Sequence, residues 1–205
     1  MADATGAQAL FDEGFAYYNS EDESKMPQAF DLFTKAAEAG SVDAIYYLGV
    51  MHYNGSGAEQ SFPKAFGYFS EASEKGSQKA TYNLGVMYEG GKGVDQDYLK
   101  ALEVYTKAAE MGSAKAMYNI GTLYRDGHGV DQDYSKSMEW FRKSAELGFN
   151  KAQFSIGMAF HKGKGVPVNE FEAMKWFKLA AESGHRKAQL MVNVLKKQIN
   201  VVTIS

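Results

Sequence analysis

An all-α, right-handed superhelical solenoid of helix-turn-helix repeats is the fold this sequence predicts, and three observations predict it. Glycine recurs every 36 residues at Gly40, Gly76, Gly112, Gly148 and Gly184. Alanine keeps the same interval at Ala44, Ala80, Ala116, Ala152 and Ala188, and a second glycine keeps it at Gly49, Gly85, Gly121 and Gly157. The stretches 77–112 and 113–148 share 20 of 36 residues without a gap. A fixed period of this length marks stacked supersecondary units, none of which can bury its apolar face alone.

The frame sets one solenoid domain over 7–199, with repeats at 7–40, 41–76, 77–112, 113–148 and 149–184 and a capping helix over 185–199. Residues 1–6 read as an N-terminal arm and 200–205 as an extended tail, because Asn-Val-Val-Thr-Ile-Ser is poor in helix formers. Each unit reads as two helices, giving about eleven in all. In 77–112, Ser77 is placed to cap the first helix, whose face carries Ala80, Leu84, Gly85 and Tyr88. Gly90-Gly91-Lys92-Gly93-Val94 then forms a loop. Asp97 caps the second helix, Ala101, Val104, Tyr105, Ala108 and Ala109 recur at helical spacing, and Gly112 closes it. Pro27 and Pro63 fall in the first turn of the matching helices, where proline is tolerated.

A mid-helix glycine costs about 1 kcal/mol relative to alanine. Its recurrence at 49, 85, 121 and 157 therefore implies close approach of the paired helix, helped by the alanines at 108 and 109 and their counterparts. Aromatic residues at 17, 88, 124, 140, 141, 160, 176 and 177 are expected to fill the spaces between layers. At the ends, Glu13 stands where Leu48, Leu84, Ile120 and Ile156 stand later, and Asn193 and Lys196 replace a glycine and an aromatic. Those polar replacements are what an array with nothing stacked beyond it would carry.

The net charge of −3 lacks the basic excess of a nucleic-acid or anionic-membrane binder. There is no cysteine, which excludes disulfides, thiolate metal sites and a cysteine nucleophile. No apolar run approaches the ~18 residues of a membrane span, and the first residues do not read as a signal peptide. A cytoplasmic protein is expected.

The frame Leu84-Gly85-x-x-Tyr88-x-x-Gly91-x-Gly93-Val94-x-x-Asp97-x-x-Lys100-Ala101, followed by Lys107-Ala108-Ala109-Glu110-x-Gly112, resembles the Sel-1-like repeat, a relative of the tetratricopeptide repeat. The likeness covers roughly 7–199. It departs at His52, at Ala58 and in the first loop, and it lacks the cysteine pairs of some secreted members. The resemblance implies a scaffold or adaptor that holds protein partners. The chain's own motifs lead to no expected enzymatic activity, metal or cofactor.

By analogy with related helical repeats, the first helix of each hairpin lines a groove. The slot before the repeated alanine holds Asp43, Lys79, Lys115 and Lys151, with Lys187 in the last helix; the slot two after it holds Tyr46, Tyr82, Tyr118 and Phe154. Later slots hold Val50, Val86, Thr122 and Met158, then Tyr53, Glu89, Arg125 and His161, then Asn54, Gly90, Asp126 and Lys162. Aromatic contact area beside a row of basic groups suits an acidic, extended peptide. Asn83 and Asn119 share one slot, and an amide can both donate to and accept from a peptide backbone. The pair resembles the clamp that some tetratricopeptide proteins close on a C-terminal carboxylate. The exposed tail suggests weak self-association through its own carboxylate.

The alternative is a small-molecule (β-lactam-like) binder or hydrolase on the same scaffold, since Ser61-x-x-Lys64 has the spacing of penicillin-recognising hydrolases. Ser61 before Pro63 at a helix start reads more simply as a cap, and the partner motifs are missing. His52, His128, His161 and His185 form no metal-ligand spacing and read as surface or groove residues. Asp95-Gln96-Asp97 and Asp131-Gln132-Asp133 lack the rest of a calcium loop and read as capping segments.

Overall fold

The structure, a computed structural model, describes residues 4–202, with side chains from 5 to 197. Among the described residues there are eleven α-helices and no strand. They are α1 (Ala4–Tyr18), α2 (Met26–Glu38), α3 (Val42–Asn54), α4 (Phe62–Glu74), α5 (Gln78–Gly90), α6 (Tyr98–Glu110), α7 (Ala114–Asp126), α8 (Tyr134–Glu146), α9 (Asn150–Lys162), α10 (Glu170–Glu182) and α11 (Arg186–Val202). One short 3-10 turn, Glu23–Lys25, leads into α2. Contacts group the chain into two compact units, Met1–Ala108 and Ala109–Ser205.

The caps fall where the sequence puts them. Ser41, Ser77 and Ser113 accept from the backbone N–H of Ala44, Ala80 and Ala116 and start α3, α5 and α7. Ser61, Asp97, Asp133 and Asn169 do the same for α4, α6, α8 and α10. Left-handed glycines at 55, 91, 127 and 163 end the first helices of four hairpins. The loop glutamines have a role the sequence reading missed. Gln60, Gln96 and Gln132 donate Nε2 back to the carbonyls of Tyr53, Glu89 and Arg125 at 3.0, 2.8 and 2.8 Å. These carbonyls lie in the last turn, where the helix leaves acceptors without intrahelical partners.

The recurring mid-helix glycines do admit a close approach, but the visitor is a ring rather than an alanine face. A β-carbon on Gly49, Gly121 or Gly157 would lie 2.7, 2.7 or 2.6 Å from a ring carbon of Phe69, Phe141 or Phe177. Gly85 meets Tyr105 and Gly14 meets Phe33 in the same way. Phe33, Phe69, Tyr105, Phe141 and Phe177 are themselves 36 apart, and all are buried. Burying one such side chain is worth about 1.5–3 kcal/mol. That offsets the helix-propensity cost of the glycine beneath it.

The termini differ from expectation. Residues 4–6 belong to α1, and residues 200–202 continue α11. Extending an existing helix adds one hydrogen bond per residue, which outweighs the few tenths of a kcal/mol that β-branching costs. Residues 1–3 and 203–205 lie outside the described residues.

Candidate functional site

In the first unit, α3, α5 and the Phe69 ring of α4 enclose a cavity of 290 Å³ lined by Tyr46, Val50, Tyr53, Asn54, Tyr82, Asn83 and Val86. Tyr46 packs on Phe69 and Tyr47 with ring centroids 5.8 and 5.2 Å apart. Burial raises its phenol pKa, and a hydrogen bond with Asn83 works against that rise. Lys92, from the loop after α5, donates to the Tyr53 hydroxyl at 2.8 Å and lies over the Tyr53 and Phe62 rings. Tyr105 donates to Glu89 Oε2 at 2.6 Å beneath this wall.

In the second unit, α7, α8, α9 and the loop after α9 enclose a cavity of 350 Å³. Tyr118, Arg125, Phe141, Phe154, Ser155 and Met158 line it, together with Tyr134, Ser137, Met138, Ala159, Lys162 and Lys164. Tyr118 packs against Phe141 at 5.4 Å and Phe149 at 5.3 Å. Phe154 stacks on His185 at 4.4 Å. Arg125 donates to both carboxylate oxygens of Asp126, at 2.8 and 2.6 Å, and also bonds the Tyr118 phenol. The bond from Arg125 holds the Asp126 carboxyl below the usual carboxylate range.

The two cavities share six corresponding positions. Tyr46, Tyr53, Phe69, Tyr82, Asn83 and Val86 of the first lie 72 positions before Tyr118, Arg125, Phe141, Phe154, Ser155 and Met158 of the second. Of the expected groove residues, Tyr46, Tyr82, Asn83, Tyr118, Arg125 and Phe154 line the two cavities. Lys79, Lys115 and Lys151 do not line either cavity; all three are exposed in the first turn of their helices, with Lys79 over the Tyr46 ring at 5.8 Å. Asn119 is half-buried and also lines neither. Arg125, expected to present charge, is largely neutralised by Asp126. Residues on one helix one position apart do not ordinarily face each other, so sequence spacing did not suggest the pair.

The histidines are more tied than a surface role implies. His52 is buried at 5 % exposure, with Nδ1 3.0 Å from the Glu59 carbonyl and its ring stacked on Tyr68. His161 Nδ1 lies 2.8 Å from Glu170 Oε1. The Ser61 hydroxyl accepts from the backbone N–H of Lys64, which makes it a cap. Among the described residues no group of side chains has the makings of a metal site, and no helix is long and apolar enough to cross a membrane.

Recurring helix hairpins, each seating a second-helix ring on a first-helix glycine, define an α-solenoid repeat protein. The Sel1 repeat model matches residues 7–41, 42–77, 78–113, 114–149 and 150–185, and the chain belongs to the Sel1 repeat family. It is similar to a protective antigen of uropathogenic Escherichia coli with an SLR fold, at 31% identity and TM-score 0.83 over 94% of this chain and 41% of that one. The chain therefore spans about two fifths of that antigen's length. A Sel1 repeat protein from Oxalobacter formigenes matches at 29% identity and TM-score 0.82, covering 89% of this chain and 75% of that one. A putative Sel1 repeat protein from Klebsiella pneumoniae subsp. pneumoniae shares the fold at 22% identity and TM-score 0.60, over 94% of both chains. No curated protein matches the chain in sequence.

Proposed function

We propose that this chain is a non-enzymatic interaction module that holds an extended segment of a partner protein against the first helices of its hairpins. The reading rests on the recurrence of one cavity, with six corresponding lining positions, in both units. Packing needs explain the buried glycine-ring pairs but do not require the neighbouring faces to remain open. Half-buried aromatic residues at Tyr46, Tyr82, Tyr118 and Phe154 supply contact area at low entropic cost, as interface anchors do. Asn83, beside Tyr46, offers an amide suited to a peptide backbone. The hydrolytic alternative has no support at Ser61, whose hydroxyl is engaged in capping α4.

Affinity capture from lysate tests the proposal when the full chain is compared with Val86→Arg and Met158→Arg, which fill the two cavities in turn. Specific partners lost by at least one cavity variant, and retained by the exposed second-helix control Glu139→Arg, are expected. Partners held equally by all four proteins would overturn it.

A further inference from the structure

We infer that the cavity of the second unit is selective for a carboxylate carried two residues from a large apolar side chain. The inference rests on the peptide-binding reading above and assigns the chemistry of one of its sites.

The argument starts from the difference between two cavities of common design. No residue lining the first carries a charge, and the loop lysine beside it, Lys92, is engaged by the Tyr53 hydroxyl at 2.8 Å. In the second, Arg125 takes the place of Tyr53, so the corresponding loop lysine, Lys164, has no phenol to bind there. Its ammonium lies over the Tyr134 ring at 5.2 Å. Lys162 stands where the first cavity's helix ends in Gly90, adding a second ammonium to the wall. Neither Lys162 nor Lys164 has an ion-pair partner among the described residues. Asp126, the nearby acid, is held by Arg125 at 2.6 Å, although it also feels the charge of Lys164. The named charges therefore leave the rim cationic.

Met138, Phe141, Phe154, Met158 and Ala159 give the wall an apolar part, beside the hydroxyls of Ser137, Ser155 and the two tyrosines. A volume of 350 Å³ lies at the small end of the roughly 300–1,000 Å³ range of ligand pockets, which suits one large side chain rather than a helix. An extended segment points residues i and i+2 to the same side. An apolar anchor at i fills the pocket, and an acidic side chain at i+2 reaches the exposed lysines. The occupant is thus an internal apolar-x-acidic sequence of a partner protein.

The test uses the full chain and two synthetic peptide pools, acetylated and amidated, identical except for a fixed Leu-x-Glu or Leu-x-Gln. Fluorescence polarisation gives affinity, and amide shifts of the labelled protein give location. Exposed ion pairs are individually weak, so two of them predict about a three- to tenfold preference for the Glu pool, with shifts centred on 118–164. Lys162→Gln/Lys164→Gln, both at exposed positions, should bring the Glu-over-Gln preference to about one. Equal binding of both pools to the wild-type chain would overturn the carboxylate inference and leave the peptide reading standing. A Glu preference that persists in the double variant, or shifts confined to the first cavity, would also overturn it. Binding of neither pool would sink the peptide reading itself.

Discussion

Gly121 seats the ring of Phe141: a β-carbon on Gly121 would lie 2.7 Å from both Cδ1 and Cε1 of that ring, and 3.1 Å from the Ser137 carbonyl oxygen. Alanine at an ordinary helical glycine gains about 1 kcal/mol of propensity. Here overpacking, at about 1–3 kcal/mol, exceeds that gain. Gly121→Ala is expected to lower stability, whereas Gly67→Ala, on α4 with nothing within 4 Å of the added carbon, should raise it by about 0.5–1 kcal/mol. Urea midpoints of the two variants check both signs. A stabilised Gly121→Ala would remove the account of the repeated glycine.

Loop glycines should separate by what lies behind them. Gly93 has φ +72° and an added carbon would stand 2.5 Å from the Phe62 carbonyl, while Gly76 has φ +90° with open space around it. Gly76→Ala pays only for the left-handed backbone, about 1–2 kcal/mol. Gly93→Ala adds a backbone clash and should lower the melting temperature further. Equal melting temperatures would mean that the loop can shift away from Phe62.

Tyr105 is the one tyrosine among the five glycine-seated rings, and its hydroxyl donates to Glu89 Oε2 at 2.6 Å. Tyr105→Phe preserves the packed ring and removes this bond. A loss of about 1–2 kcal/mol in chemical denaturation is expected, typical of a half-buried bond to a carboxylate. No change would show that water replaces the hydroxyl without cost.

His185 caps α11 in an unusual way, with Nδ1 accepting from the Ala188 N–H at 3.2 Å. Only the neutral ring can accept there. Burial, followed by the charges of Lys187 and Lys151, lowers its pKa despite a backbone hydrogen bond that raises it. With the folded value below the unfolded one, near 6.5, the neutral ring's contribution is intact above that value and is lost as pH falls through the folded value. Denaturation between pH 8 and 5 should show this loss, and His185→Asn, which caps without titrating, should flatten it. An unchanged slope would assign the pH dependence to other groups.

Much of the fold was legible because the repeat states it several times. Ser77, Asp97 and Gly112 each carry local chemistry that fixes a helix end, and copies at a fixed interval remove ambiguity. The ring register 33, 69, 105, 141, 177 was equally present in the sequence, yet its pairing with the glycines depends on how two helices cross. The first-helix residues that line the cavity walls, such as Tyr46 and Tyr118, are placed on one face by analogy with related repeats. The second-helix residues that complete the cavities, Phe69, Met138 and Phe141, are not, because they enter from another element. Charge was the least legible feature. The lysine row at 79, 115 and 151 looked like the groove's cation source, but the cavity lysines are 162 and 164, and Arg125 is occupied by its neighbour.

Position-specific photo-crosslinking of the full chain tests the central claim most directly. A benzophenone side chain placed at Val86 or Met158 sits on a cavity wall, and one at Glu103 or Glu139 sits on an exposed second-helix face. Irradiation in lysate is predicted to give discrete partner adducts from Val86 or Met158, with mass spectrometry placing the linked residue in an extended segment, and none from Glu103 or Glu139. Adducts from Glu103 and Glu139 alone would contradict the account.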